Sequence, residues 1–322
     1  MKHKPVKTDY RWRKRRILLW IAIILFILLI PSIVLSVYVF HHVNYLKVDV
    51  EKYPFQNVYE PKDFRLDAVS HTIKTEDGEE LWCSEVTCAD PQGVIIYLSA
   101  LKEPSVTYFY GHAAWMQKKG FSSFLLEVRA HGKSTGHKLG LGYTEVEDVR
   151  ALVQYIKGMD KYKNVPIIVQ GVGMGGTIAI NAAGEIPEVK ACIAMSPMAA
   201  ADTHVTLLMK KFYVPGFLRA VEKPILHQAL RILYGKETAD QINPEVQIQI
   251  SETKPVLVIA SLRDPSIPSE NSRVLQELAP DAEFWFRDSE DHFVIQNNDF
   301  LHVESDQEYC SYISGFLFKA IR

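Results

Sequence analysis

The chain has 322 residues, of which 48% are hydrophobic and 23% charged, with a formal net charge of -2; this balance suits one folded domain with a full core and excludes disorder on composition. Phosphate recognition needs a concentrated excess of Lys and Arg, so the charge gives no reason to expect a nucleic-acid partner.

Residues 1–16 form a basic arm in which Lys2, Lys4, Lys7, Arg11, Arg13, Lys14, Arg15 and Arg16 face a single acid, Asp9. The next charged residue is Lys47, and Ile17 to Phe40 is an uncharged apolar run of 24 residues. As a helix it would cover roughly 36 Å at about 1.5 Å per residue, more than a hydrocarbon core of about 30 Å. Pro31 is tolerated in a transmembrane helix as a kink, and Trp20 and Tyr38 suit the two interfaces. A cleaved signal peptide would have an apolar region of about 7 to 15 residues followed by a small-x-small site, and V-Y-V-F-H-H after the run offers none. The expectation is an uncleaved single-pass anchor over 17–40, with the basic arm cytoplasmic and the main domain extracytoplasmic by the positive-inside rule.

Residues 41–66 mix aromatics, prolines and charges without a sustained period and read as a membrane-proximal linker. The regular pattern starts near Val69. T-E-D-G-E-E at 75–80 reads as a hairpin turn between two short strands, because Asp-Gly supplies the positive φ such a turn requires. Val94 to Ser99 is a buried strand. Next come a helix over 106–119, a strand over 122–128 and a helix over 143–159 with Val146, Val149, Val153 and Ile156 on one face. A strand over 165–170, a helix over 174–184 and a strand over 189–196 follow. This alternation predicts a parallel sheet with crossover helices. It stops at Met198, where two helix-like pieces, 205–212 and 224–234, read as a cap inserted over 198–250. It resumes with a strand over 255–261, a helix over 271–278, a strand over 283–287 and a final helix over 305–321.

Cys83, Cys88, Cys192 and Cys310 show no C-x-x-C pair and no His spacing suited to a metal, so neither a metal nor another cofactor is expected. Cys83 and Cys88, five apart on a predicted strand, point to opposite faces and are poorly placed to bridge each other. Free thiols are the expectation.

The chemistry concentrates at I-I-V-Q-G-V-G-M-G-G, residues 167–176, where a buried strand, a Gly-rich turn and a helix meet. A Gly-x-Gly-x-Gly string also admits a dinucleotide-binding reading. That fingerprint belongs at the first strand of its unit with an acid about twenty residues on, whereas this turn follows an inner strand and Glu185 precedes the next strand. The string instead resembles the G-x-S-x-G elbow of α/β-hydrolases, with Gly173 where the nucleophilic serine would stand. E-V-R-A-H-G-K-S-T-G, residues 127–136, is similar to that superfamily's D-x-R-G-x-G-x-S loop, with Ala130 in place of a glycine.

The resemblance covers about residues 69–322 and is strongest to the serine-aminopeptidase-like and lysophospholipase-like branch. It implies an α/β-hydrolase fold over 67–322: a mostly parallel sheet flanked by helices, with a small helical cap, tethered by the N-terminal helix. It also implies Asp264, in S-L-R-D-P, as the acid and His292, in D-S-E-D-H-F, as the base. The Met174 amide would be one oxyanion donor, and Ser99 and Ala100 lie nearest the others. Glycine at position 173 has no oxygen with which to attack a carbonyl, and neither Val172 nor Met174 replaces it. Three functional readings follow: an impaired acyl hydrolase that retains a pocket for a small acyl or lipid-like ligand; an ester or amide hydrolase using a displaced nucleophile (Ser134, Thr135, Ser99 or Ser196) or water activated by His292; and a non-enzymatic binding or scaffolding domain.

Overall fold

The computed structural model describes residues 9–44 and 58–322, and within 9–44 only part of the side chains. Half of the predicted linker, residues 45–57, and the first half of the basic arm, residues 1–8, lie outside the described residues. Helix α1 (Asp9–Asn44) overruns the predicted span of 17–40 at both ends; on the N-terminal side the flanking Arg and Lys favour helix as well as the apolar run does. Taken over the described residues alone, no helix is long and apolar enough to cross a membrane.

The hairpin forms as read: β1 (Ala68–Lys74) and β2 (Glu80–Val86) pair antiparallel around Gly78 at φ +92°. The sheet continues with β3 (Gly93–Leu98), β4 (Phe121–Leu126), β5 (Ile167–Val172), β6 (Val189–Met195), β7 (Val256–Ser261) and β8 (Glu283–Arg287). Its order is β1-β2-β4-β3-β5-β6-β7-β8, with every pairing from β4 to β8 parallel. Side chains alternate across it: Val94, Ile96 and Leu98 join one apolar layer, Ile95 and Tyr97 the other. The helices are α2 (Tyr110–Lys118), α3 (Val146–Gly158), α4 (Met174–Glu185), the cap group α5 (Ala201–Lys211), α6 (Gly216–Tyr234), α7 (Lys236–Gln241) and α8 (Pro244–Gln247), then α9 (Glu270–Leu278) and α10 (Gln307–Ala320). Helix α3 buries the predicted face, with Leu152 added.

The cap differs from expectation in two ways. Helix α6 begins at Gly216, eight residues before the predicted start, and carries Pro224 inside it. Proline usually opens or breaks a helix, which is why the sequence reads as a helix starting there. Helices α7 and α8 are one or two turns long, too short for a periodic signal. All four cysteines are free, Cys83 and Cys192 buried and Cys88 past the end of β2. Parallel strands place the C-terminal ends of β3, β5, β6, β7 and β8 along one edge, and β5 stands where the strand order reverses. Ligand sites of open α/β sheets form at that edge and that reversal.

Candidate active site

Strand β5 is buried throughout and runs into Gly173, whose φ of +57° and ψ of -118° lie where side-chain-bearing residues rarely go. Glycine adopts this conformation freely, while any other residue is strained by about 1 to 3 kcal/mol. Its neighbours are glycines for a different reason. A Cβ at Gly171 would sit 2.2 Å from the Gly175 backbone, and one at Gly175 would sit 2.4 Å from the Leu98 carbonyl oxygen. Only glycine lets α4 start this close to β3 and β5. The Gly173 amide donates to the Met195 carbonyl at 2.8 Å, fixing the turn against β6.

The two side chains expected beside this elbow are there. His292 Nδ1 lies 2.7 Å from Asp264 Oδ2, and the Asp264 side chain is 1% exposed. Asp264 Oδ1 also accepts from the amides of Ser266, at 2.7 Å, and Ile267, at 3.0 Å. Burial pushes the Asp264 carboxyl up, but the hydrogen bond and charge of His292 together with the two amides outweigh it, so the acid is held below the usual carboxylate range. The other ring nitrogen faces the elbow. A Cβ built on Gly173 would meet His292 Nε2 at 3.0 Å and the Ala100 methyl at 3.3 Å. The imidazole and Ala100 thus crowd the space a side chain at position 173 would enter. A serine there requires its neighbours to move by a few tenths of an ångström.

Two hydroxyls that sequence reasoning did not connect to the histidine hold its loop. Ser196 Oγ donates to the His292 carbonyl at 2.9 Å, and Ser261 Oγ donates to the Asp291 carbonyl at 2.6 Å. Both sit at or just past the ends of the strands beside the site, and small hydroxyl residues at such ends were the available signal. Ser196, a candidate displaced nucleophile, therefore acts as a support. Ser134 accepts from the Trp82 amide and donates to the Glu127 carbonyl; Thr135 accepts from the Glu80 amide and donates to Glu79. Both pin the Glu127–Gly136 loop onto β2. Arg129 in that loop is anchored by Asp148 at 2.7 Å and Asp77 at 2.7 Å, consistent with a structural task. The remaining candidate, Ser99, is 1% exposed and its hydroxyl has no partner among the described residues.

The oxyanion side is half assembled. Met174 opens α4, and amides of a first helical turn lack intrahelical acceptors and carry the positive end of the helix dipole. Across from it, the Ala100 amide already donates to the Tyr108 hydroxyl at 3.2 Å. The next amide, that of Leu101, donates to no described atom. A cavity of ≈670 Å³ lies in the cap beside Asp202, Arg219, His227 and Arg231, and another, ≈390 Å³, touches Asp264; neither is lined by Gly173 or His292. Among the described residues, no group of three His, Cys, Asp or Glu side chains could hold a metal ion.

Comparison with known proteins agrees with this fold. The family described as serine aminopeptidase, S33, matches residues 89–228. Monoglyceride lipase of Rattus norvegicus is 21% identical over 247 residues, covering 68% of this chain and 81% of the lipase. An esterase structure from Pyrococcus furiosus superposes with a TM-score of 0.62 at 22% identity, over 83% of this chain and 98% of that one. The acylaminoacyl peptidase of Pyrococcus horikoshii superposes with a TM-score of 0.57 at 15% identity, over 77% of this chain and 41% of that one.

Proposed function

We propose that this chain, a member of the α/β-hydrolase superfamily, is a membrane-anchored descendant of the serine acyl hydrolases that no longer performs covalent acyl transfer and binds an acyl ligand instead. The observation that carries this reading is the pairing of an intact His292–Asp264 couple with a glycine at the elbow it faces. In a working triad the histidine removes the serine proton, and the acid fixes its tautomer and stabilises the imidazolium. Here the base is positioned but has no hydroxyl to activate.

Ser134, Thr135 and Ser196 are committed elsewhere by hydrogen bonds, which leaves no ready substitute among them.

Membrane anchoring is supported by the sequence of α1 and by its exposure. Ile17 to Phe40 contains no charged residue. Every described large apolar side chain from Ile17 to Ile30 is at least one-third exposed, Leu18 at 61% and Phe26 at 65% among them. Such a contiguous apolar surface needs a partner, and lipid is the partner its length suits. Acyl-ligand binding is supported by an apolar cleft of ≈220 Å³ between α1 and the cap, lined by Phe40, Val205, Met209 and Leu226. Phe40 and Leu226 share an apolar cluster against which Leu101, beside the elbow, packs.

The test is hydrolysis of esters of graded acyl length by the full chain in detergent, with and without His292→Ala. Turnover at the level of the no-enzyme control in both supports the proposal. Turnover by the parent that disappears in His292→Ala overturns it and revives the hydrolase with another nucleophile.

A further inference from the structure

We infer that the tip of the cap is inserted into the bilayer leaflet nearest the folded domain, alongside the helix that anchors it; the inference rests on the anchor reading of α1 and extends it to a second, independent membrane contact. Two observations lead there. The first is the way α1 and α6 pack. Ser32 Oγ donates to Glu222 Oε1 at 2.8 Å, and two turns further on Phe40, 4% exposed, packs with Leu226 and Leu230. Later residues of α1 therefore meet later residues of α6, so the two helices run in the same sense. If α1 leaves the membrane towards the folded domain, α6 does so too, and its first turns point back towards the bilayer.

The second observation is the length of α1 that is free of the cap. From Ile17 to Pro31 there are 15 residues, about 22 Å of helix. A hydrocarbon core of about 30 Å requires about 20 residues, which carries the span to about Ser36, past the first contact with the cap. Even with the boundary drawn as shallow as Ser32, Phe217 precedes Glu222 by five residues. It therefore sits about 7 Å deeper along a helix running in the same sense. That is the depth at which the apolar faces of interfacial helices reside, about 5 to 10 Å.

The side chains at this tip suit that environment. Phe212 is 76% exposed, Tyr213 93%, Phe217 71%, Leu218 44% and Val221 47%, a cluster confined to the α5–α6 turn and the start of α6. Lys210, Lys211, Arg219 and Lys223, with the acid Glu222, are interspersed with them; their stems are apolar, and their charged ends are held by Glu270, the Pro265 carbonyl, the Val214 carbonyl and Glu245 respectively. The tip opens the helix that packs against α1, so one lipid surface can cover both. A lipid bilayer is accordingly the occupant assigned to this face, rather than a protein partner.

The experiment uses the full chain in phosphatidylcholine nanodiscs, with Cys88→Ser and Cys310→Ser as background. Nitroxide labels are placed at Phe217→Cys, Ile24→Cys and Asp281→Cys, all exposed positions, and each label's collision rate with oxygen is compared with that for a water-soluble nickel complex. The expected result is an oxygen-to-nickel ratio several-fold higher at positions 217 and 24 than at 281. A ratio at 217 equal to that at 281, with 24 still high, overturns the insertion of the cap while leaving the anchor in place. A water-like ratio at 24 overturns both.

Discussion

At the scale of single residues, the backbone of Gly173 decides what the site does. Its φ of +57° is relaxed for glycine, so Gly173→Ser reintroduces strain of about 1 to 3 kcal/mol and also requires His292 to move aside. Since about 1 kcal/mol lowers Tm by about 2 to 4 °C in a domain of this size, scanning calorimetry should find the serine variant some degrees less stable than the parent. Asp264 supplies a second prediction. Its folded-state carboxyl is held below the usual range, so the pair's contribution to stability is present above the unfolded value of about 3.9 and is lost as pH falls through the lower folded value. Asp264→Asn should flatten this acid limb when Tm is followed from pH 6 to pH 2. An unchanged limb in the variant would mean that other carboxylates control acid unfolding. The acid and the base were both legible in the sequence because Asp264 follows the buried strand β7 and His292 follows the last strand, β8, in the order the family resemblance implies. The engagement of the Ala100 amide by Tyr108 was not, since it depends on an aromatic eight residues away folding back over the turn.

At the scale of elements, the elbow is a junction of three backbones, and its glycines mark close approaches. Gly175→Ala would put a methyl group 2.4 Å from the Leu98 carbonyl oxygen and 2.6 Å from that of Ser99. Main-chain atoms of a buried strand have nowhere to go, so the expected loss is at or above the top of the usual overpacking range of about 1 to 3 kcal/mol, read from urea denaturation. A loss under about 0.5 kcal/mol would show that α4 shifts as a unit. The inner strands were readable as largely apolar runs because parallel strands are buried on both faces, β3, β5 and β7 being buried throughout. Element ends were blurred by one to several residues. The cap was hardest to read: α6 packs on α1 and α5, and the turn between α5 and α6 carries an exposed apolar tip, which scrambles the polar-outside pattern on which periodicity depends, and Pro224 inside α6 imitates a helix start.

At the scale of the whole molecule, one edge of the sheet gathers the elbow, the acid and the base, and the cap links that edge to the long N-terminal helix. If α1 is the anchor, the full chain expressed in cells should resist extraction by alkaline carbonate. Ile24→Arg, which places a charge near the middle of the run at a cost of about 2.5 to 3.5 kcal/mol, should raise the extractable fraction several-fold; equal extraction of both forms would refute the anchor. The central claim, that a positioned acid–base pair faces an elbow without a nucleophile, is tested most directly by fluorophosphonate labelling of the full chain as the parent, as Gly173→Ser, and as Gly173→Ser combined with His292→Ala. The account predicts no labelling of the parent, labelling of the serine variant, and little or none when the histidine is also removed. Labelling of the parent at any other residue would contradict it.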